Sequence, residues 1–209
     1  MSQKIAKNIT SVIFDLGGVL FDIDYTLTQK AFIELGATEF HKLYSLQKQT
    51  GLFDEFEKGK IPPAEFRKQL KEKLPKGITD ADIDKAWNAL LIGVPNTKID
   101  LLKQLRNKYR VFLLSNTNEI HLAEVLNMLA PLDNNKGITH LFEKTYYSCR
   151  MGMRKPDKEI FDKVIMDNSL NPLHTVFIDD LLHNVEGAKT AGLNILHCTV
   201  EVKLEEYFR

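Results

Sequence analysis

The sequence predicts an α/β fold in which a parallel β-sheet has helices on both faces and carries an inserted α-helical cap. Three observations support this fold class. Short apolar runs have the length and β-branched content of buried strands. Amphipathic helical patterns alternate with the later runs, and a long helical stretch interrupts this alternation after the first run. The predicted strands are Ser11–Asp15, Val111–Ser115, Lys144–Ser148, Val176–Asp179 and Asn194–Cys198.

Helical patterns separate the later strands. Residues Thr97–Lys108 repeat apolar side chains at helical spacing, and Asn96 is placed to act as the N-cap. Gly192 follows the last helical pattern and suits the left-handed residue that ends many helices. Because strands and helices alternate, the sheet is predicted to be parallel and covered on both faces. The other predicted core helices are Glu119–Ala130, Asp157–Asp167 and Asn184–Ala191.

A long insertion separates the first two predicted strands. It spans about 95 residues, far more than one crossover connection requires. The stretch from 25 to 95 shows no convincing strand, and Thr79–Asp82 resembles a capped helix start. The predicted helices of this stretch are Gln29–Leu35, Glu39–Gln49, Pro62–Leu74 and Ala81–Ile92. Its aromatic and apolar side chains are predicted to form a small core of Phe32, Phe40, Tyr44, Phe53, Phe56, Phe66, Trp87 and Leu90. The sequence thus predicts a helical cap over 25–95 and an α/β core made of 1–24 and 96–209.

Composition argues against several classes of partner. The 209 residues include 28 Lys+Arg and 28 Asp+Glu, so no charge excess favours nucleic acid. The first residues lack a signal-peptide pattern, and no apolar stretch is long enough to cross a bilayer. Cys149 and Cys198 show no metal-like spacing and are expected to be reduced thiols. We expect a cytoplasmic monomer or homodimer without nucleic-acid or membrane partners.

Polar side chains stand at the ends of the predicted strands or in the loops after them. Asp15 ends the first strand, Ser115 the second and the pair Asp179-Asp180 the fourth, whereas Lys155 lies in the loop before a helix. Ligands of open α/β sheets bind at the carboxyl ends of the strands, where these groups would meet. A carboxylate can attack phosphorus and form an aspartyl-phosphate, and a lysine can offset the negative charge.

The same edge is suited to a phosphate group and a magnesium ion. The Ser115 hydroxyl and the backbone amides around Asn116, at a helix N-terminus, suit a phosphate oxygen. Gly17 and Gly18 predict a tight turn directly after the first strand. Adjacent carboxylates repel each other unless a cation lies between them. Oxygen ligands of this kind favour Mg²⁺.

Four segments in order resemble the motifs of the haloacid dehalogenase-like (HAD) superfamily. They are Val-Ile-Phe-Asp15-Leu-Gly-Gly-Val-Leu, Leu-Leu-Ser115-Asn-Thr-Asn, Gly-Met-Arg-Lys155-Pro-Asp and Phe-Ile-Asp179-Asp180-Leu-Leu-His-Asn-Val-Glu-Gly-Ala. The resemblance covers nearly the whole chain. The sequence of the first motif resembles that of a branch of small-sugar phosphatases in which this motif begins Asp-Leu-Gly. That branch includes bacterial glucose-1-phosphate phosphatases.

This resemblance implies a Rossmann-like core with a helical cap and a phosphatase that acts on a small phosphorylated metabolite, such as a sugar phosphate. It implies that Asp15 is the nucleophile and that Ser115 and Lys155 hold the phosphate during catalysis. Gly17, Gly18 and Asn116 complete the phosphate-binding set. The implied magnesium ligands are Asp15, Asp179, Asp180 and the backbone carbonyl of Gly17.

The chain departs from most phosphatases of the superfamily at Gly17, where they carry a second aspartate that protonates the leaving group. Such acid–base help contributes on the order of a hundred- to ten-thousandfold. The substrate could have an acidic leaving group, as anomeric phosphates do, or Asp22 or Asp24 could supply the proton. Alternatively the site binds without turnover.

Two other functions stay open beside the phosphatase. A metal-free dehalogenase would also use an aspartate nucleophile, but those enzymes tend to replace the acidic pair of Asp179 and Asp180 with neutral residues. A non-catalytic binding protein would explain Gly17. Specificity is expected to lie in the cap, where the candidates are Gln47, Gln49, Glu57, Lys58 and Lys60.

Overall fold

The computed structural model describes residues 4–38, Phe40 and residues 51–209. Its main sheet has five parallel strands in the order β5-β4-β1-β6-β7, and β2 pairs with β3 in a separate antiparallel ribbon. The strands are β1 (Ser11–Phe14), β2 (Asp22–Ile23), β3 (Leu91–Gly93), β4 (Arg110–Ser115), β5 (Lys144–Tyr147), β6 (Thr175–Asp179) and β7 (Asn194–His197). The predicted α/β class is therefore confirmed.

The strands of the main sheet match the predicted ones closely. The predicted boundaries differ from those in the structure by one residue at most, because the buried apolar runs themselves form the ladders. The prediction of no strand within 25–95 is wrong, however. Leu91–Gly93 pairs with Asp22–Ile23, so the helix predicted to reach Ile92 ends at Asn88. These strands are too short to show a periodic pattern, and each finds its partner far away in the chain.

The longer helices are α1 (Tyr25–Glu34), α2 (Leu52–Glu57), α3 (Pro63–Lys71), α4 (Asp80–Asn88), α5 (Asn96–Leu105), α6 (Glu119–Leu129), α7 (Lys158–Asp167) and α8 (Leu182–Thr190). Short helical turns lie at Thr139–Leu141, Ser148–Met151, Pro172–His174 and Leu204–Tyr207. In the described part of the chain, no helix combines the length and the apolar character that a membrane crossing requires.

The first residues of the helices show which boundaries can be predicted from local sequence signals. Thr79 and Asp82 form the predicted capping box at α4, in which each side chain bonds the other residue's backbone N–H. Asn96 is not the N-cap of α5, because the helix already begins at Asn96 and Pro95 holds the cap position. Helix α1 begins at Tyr25, earlier than predicted, because Asp24 caps it. Helix α2 was not predicted. The predicted helix over 39–49 lies outside the described residues, apart from Phe40.

Alternate residues of β1 pack against different helices. Val12 and Phe14 join the apolar cluster that includes residues of α5 and α6, whereas Ile13 joins the cluster of α7 and α8. Helices therefore cover both faces of the sheet, as predicted. Cys149 and Cys198 are buried free thiols.

The helices that follow β2 have an apolar cluster of their own. The residues of the predicted apolar core meet there, except that Tyr44 lies outside the described residues and Leu90 is buried outside this cluster. We refer to the described residues of 25–95 as the cap. That they form a separate domain stays a prediction. The members of the cluster that were predicted are Phe32, Phe40, Phe53, Phe56, Phe66 and Trp87.

Candidate active site

The central carboxylate of the site is Asp15, which directly follows β1. Its backbone N–H donates to the Ile178 carbonyl at 2.8 Å, so the ladder to β6 fixes the residue in place. The chain then turns at Gly18, whose φ of +76° favours glycine. A methyl group at Gly18 would also overlap the carboxylate of Asp180. The turn thus requires glycine to bring the first strand end close to Asp180.

Lys155 joins two of the carboxylates. Its side chain is buried, and Nζ lies 2.7 Å from both Asp15 Oδ1 and Asp179 Oδ2 while it donates to the Leu114 carbonyl at 3.0 Å. Burial lowers the pKa of Lys155, but Asp15 and Asp179 outweigh that effect and raise it. The ammonium group is therefore held in its charged form beside Asp15.

Three carboxylates meet at this edge of the sheet. Asp15, Asp179 and Asp180 each offer an oxygen, and these oxygens all lie within 4.8 Å of one another. Burial raises the pKa of Asp15 to about 7, with Asp179 adding to the effect and Lys155 opposing it. Burial and the charge of Asp179 likewise raise the pKa of Asp180 to about 6. An excess of negative charge on oxygen-only donors fits a hard divalent cation such as Mg²⁺.

Asp179 is held from several sides. Oδ1 accepts from the Leu181 backbone N–H at 2.8 Å, and Asn184 Nδ2 lies 3.1 Å from both carboxylate oxygens. Asn184 belongs to α8, so the helix that follows β6 orients the carboxylate at the strand end. Asp179 in turn orients Lys155.

Ser115 and Asn116 lie beside Lys155 at the end of β4. Ser115 is buried, and its hydroxyl makes one long hydrogen bond within the described residues, 3.4 Å to the Asn116 carbonyl. The Asn116 amide bonds the backbone of Lys155 in both directions, each at 2.9 Å. The Asn116 side chain therefore positions Lys155, so a phosphate contact at this residue would use its backbone.

These strand ends open into a pocket that also reaches the cap. Most of the predicted site residues line it, namely Asp15, Gly17, Ser115, Asn116, Lys155 and Asp180. Gly18 and Asp179 are not among the lining residues, although Asp179 contacts Lys155, which is. The pocket is also lined by titratable residues that do not belong to the predicted site set: Tyr25, Glu57, His121, Arg154 and His183.

Asp22 and Asp24 are not among the lining residues. Asp24 caps α1 by accepting from the Thr26 backbone N–H at 2.8 Å, which lowers its pKa. Asp22 is exposed on β2. The structure thus gives no support to the expectation that either residue replaces the acid missing at Gly17.

His121 connects the cap to the core. Its ring stacks on Trp87 at 4.7 Å, Nε2 lies 3.0 Å from the Trp87 carbonyl, and Nδ1 lies 3.0 Å from the Asn118 side-chain nitrogen. These partners indicate a neutral ring that donates through Nε2 and accepts at Nδ1. Burial lowers the pKa of His121 to about 4, so the ring carries no charge at neutral pH.

Ion pairs form a second connection between cap and core. Arg154 lies 3.0 Å from Glu57 Oε2 through Nη2 and 3.2 Å from Asp54 Oδ1 through Nη1. Lys58 lies 3.1 Å from Asp54 and 3.6 Å from Asp157. Of the cap residues considered from the sequence, Glu57 lines the pocket, whereas Lys58 belongs to this ion-pair group.

The remaining cap candidates do not contribute to the described pocket. Lys60 is exposed and is not among the lining residues. Gln47 and Gln49 lie outside the described residues. Arg154 could have been noticed from its place beside Lys155, but nothing in the sequence connects it to Glu57.

Gly59 brings the cap into close contact with the core. Its φ is +65°, and a methyl group there would overlap the carbonyl oxygen of Cys149. Cys149 belongs to the helical turn after β5. The cap can approach this turn only because Gly59 has no side chain.

Comparisons with known proteins found both a family and individual relatives that this chain resembles. A family model described as haloacid dehalogenase-like hydrolase matches residues 9–192. D-ribitol-5-phosphate phosphatase of Bacteroides thetaiotaomicron is 36% identical over 186 residues, which cover 88% of this chain and 89% of that protein. Sesquiterpene phosphatase of Aspergillus oryzae is 28% identical over 193 residues, which cover 90% and 89%.

A similar solved structure contains both expected ligands. A HAD family enzyme of Bacteroides thetaiotaomicron, solved in complex with magnesium and inorganic phosphate, superposes with a TM-score of 0.88 at 38% identity. The superposition covers 96% of this chain and 100% of that one.

Proposed function

The chain belongs to the haloacid dehalogenase-like hydrolases and is a phosphatase of that family, and from this premise we propose that it hydrolyses a small polyhydroxylated phosphate ester through an aspartyl-phosphate. The observation that carries the proposal is the contact between Asp15 and Lys155 beside two further carboxylates. It supports the assignment of Asp15 as the nucleophile, of Lys155 as a fixed cation and of the three carboxylates as magnesium ligands.

In the first step an oxygen of Asp15 attacks phosphorus while the bond from phosphorus to the ester oxygen breaks. The ester oxygen takes up one proton from solvent as the alcohol leaves, and the water of the second step returns one proton to solvent. In the second step water attacks the same phosphorus, which releases inorganic phosphate and restores the carboxylate. Lys155 and Ser115 hold the phosphoryl oxygens in both steps. Gly17, Gly18 and Asn116 contribute through their backbone.

The donor set fits magnesium, which Asp15, Asp179, Asp180 and the Gly17 carbonyl would hold. When bound, the ion supplies positive charge between the anionic nucleophile and the anionic phosphate. Asp179 also fixes Lys155, so its loss would disturb the metal site and the phosphate site together.

Because Gly17 stands where most phosphatases of the superfamily carry an aspartate, no side chain is assigned as the donor of the leaving-group proton. Turnover is nonetheless favoured over simple binding, because a relative with 36% identity is named a phosphatase. The acidic pair Asp179-Asp180 argues against the metal-free dehalogenase. The substrate class follows from the same relative, which acts on a sugar-alcohol phosphate.

Phosphate release from a panel of aryl, alkyl, anomeric and polyol phosphates, with and without Mg²⁺, tests the proposal. We expect magnesium-dependent turnover that the Asp15→Asn variant reduces by at least about a thousandfold, since the covalent route is lost. Full activity in Asp15→Asn would disprove the nucleophile assignment. No release from any phosphate by the wild type would favour the binding protein.

A further inference from the structure

We infer that Glu57 and Arg154 form a specificity contact for the leaving group and select alcohols that carry hydroxyl groups. This inference rests on the proposed phosphatase function and deepens it. It assigns a role to two residues that take no part in the phosphate chemistry described above.

Both residues face the same pocket as Asp15 and belong to different parts of the fold. Glu57 ends α2 in the cap, whereas Arg154 directly precedes Lys155 in the core. Their side chains are 12% and 16% exposed, so the ion pair at 3.0 Å is largely shielded from solvent. An ion pair in this setting interacts more strongly with a nearby ligand than one on the open surface does.

The pair has the hydrogen-bonding character that a hydroxyl group requires. In the part of the chain that the structure describes, the buried Nε of Arg154 has no hydrogen-bond acceptor. A carboxylate only accepts and a guanidinium only donates. A hydroxyl does both, so an alcohol group can donate to Glu57 and accept from Arg154.

An apolar leaving group would have the opposite effect. It would cover the ion pair without offering any hydrogen bond, and charged groups lose free energy when water is removed without replacement. Elsewhere the pocket is lined by the apolar residues Phe21, Ile23, Leu90, Leu91 and Val125. A pocket that offers a polar pair together with apolar side chains fits a carbon chain that carries hydroxyl groups.

The same ion pairs could simply dock the cap on the core. Asp54 separates these roles, because it also pairs with Arg154 but is not among the residues that line the pocket. Asp54→Asn therefore weakens the cap–core connection while leaving the pocket wall intact. Glu57→Gln keeps the size of the side chain and removes the charge that faces the pocket.

The test compares ribitol 5-phosphate with pentyl phosphate, which has the same number of carbons and no hydroxyl groups. For the wild type, Glu57→Gln and Asp54→Asn, kcat and KM are measured for both substrates. We expect Glu57→Gln to lower the ratio of kcat/KM for ribitol 5-phosphate over pentyl phosphate by about tenfold, mainly through KM. Asp54→Asn should change this ratio by less than about twofold.

An unchanged ratio in Glu57→Gln, or an equal fall in Asp54→Asn, would overturn the inference, since the contact would then serve only to dock the cap. Because the ratio is taken within each variant, a partial loss of folded protein cancels. If the wild type released no phosphate from either substrate, the proposed function would fail, and the specificity contact with it.

Discussion

At the scale of the residue, Lys155 shows how the site tolerates buried charge. An ammonium group with no exposed surface would be costly on its own. Asp15 and Asp179 each contact it at 2.7 Å, and the Leu114 carbonyl takes a third hydrogen bond. The same arrangement leaves the other oxygen of Asp15 without this lysine contact. The Lys155 ammonium group that stabilises the Asp15 carboxylate is therefore already positioned to contact a bound phosphate.

Gly17 provides a test of the missing acid. Its backbone does not have a positive φ, and a Cβ there would lie 3.0 Å from Ile23 Cδ1, the tip of a flexible side chain. We expect Gly17→Asp to raise kcat for pentyl phosphate by about tenfold or more, because the new carboxyl group could protonate the leaving alcohol. The measurement is steady-state phosphate release.

The double variant Gly17→Asp/Ile23→Val controls for crowding, because valine lacks the Cδ1 atom. If neither the single nor the double variant gained activity on pentyl phosphate, the account based on a missing acid would be wrong. Ile23→Val alone measures the effect of trimming the pocket wall.

The residues of the site divide into those that the sequence reveals and those that it conceals. Asp15, Ser115 and Asp179 end buried strands, and parallel strands bring their carboxyl ends to one edge. Arg154 and His121 end no strand, and the sequence indicates Glu57 only as one of five candidates in the cap. Their meeting depends on how the cap packs on the core, which hydrophobic periodicity does not encode.

At the scale of the element, α4 and α6 are joined through a polar network inside the protein. Trp87 Nε1 donates to Asn118 Oδ1 at 3.3 Å, and Asn118 also caps α6 by accepting from the His121 backbone N–H. The His121 ring then bonds the Trp87 carbonyl. A neutral imidazole is needed here, since a protonated ring would face the Asn118 amide nitrogen with a second donor.

This network predicts a pH dependence of stability. The pKa of His121 is about 4 in the folded state against an ordinary value of 6.5, so the unfolded state binds the proton more tightly. The free energy of unfolding should therefore fall as the pH drops from 6.5 towards 4, by up to about 3 kcal/mol from this residue. Urea unfolding of the wild type and His121→Gln across this range measures the difference.

We expect His121→Gln to flatten the decrease, because glutamine can donate to the Trp87 carbonyl without titrating. His174→Gln, at the amino end of β6, controls for the loss of a histidine elsewhere. Equal slopes for the wild type and His121→Gln would show that His121 does not set the acid sensitivity.

Gly59 predicts a separate effect on how the cap packs. Gly59→Ala should lower the free energy of unfolding by several kcal/mol, because the methyl group overlaps the Cys149 carbonyl and the φ of +65° is unfavourable for alanine. Gly152→Ala is the matched control. Its φ is +69°, and among the described residues no atom lies within 4 Å of the added carbon.

Gly152→Ala should therefore cost only about 1 kcal/mol, the penalty of the left-handed backbone alone. Chemical unfolding of both variants separates the two contributions. Equal losses would mean that the contact of Gly59 with Cys149 is not as close as the structure shows.

The elements differ in how far the sequence reveals them. Strands of the main sheet are predicted to within one residue because continuous apolar runs form them. The ribbon of β2 and β3 is missed, since two short segments gain their structure only by pairing with each other. The capping box of α4 is found because it lies within four consecutive residues.

At the scale of the whole molecule, the α/β core and the cap contribute different residues to the pocket. The carboxyl ends of β1 and β6 supply the three carboxylates. The loop before α7 supplies Lys155, which is positioned by its hydrogen bonds to Asp15 and Asp179. The described residues of 25–95 contribute Tyr25, Glu57, Leu90 and Leu91 to the pocket lining. We propose on this basis that 25–95 acts as one cap domain, with 1–24 and 96–209 as the catalytic core.

The position of β1 at the centre of the sheet has a consequence for biosynthesis. At Ser11 it pairs with Arg110 on one side and with Thr175 on the other, so both neighbours lie far along the chain. In contrast, α3 and α4 are close in sequence and are joined by Arg67 and Asp84. During translation the cap helices can therefore pair early. The apolar strand β1, in contrast, cannot complete its pairing until β6 has been synthesised. A nascent chain that stops short of β6 would have neither a nucleophile in position nor a covered central strand, and would be prone to aggregate.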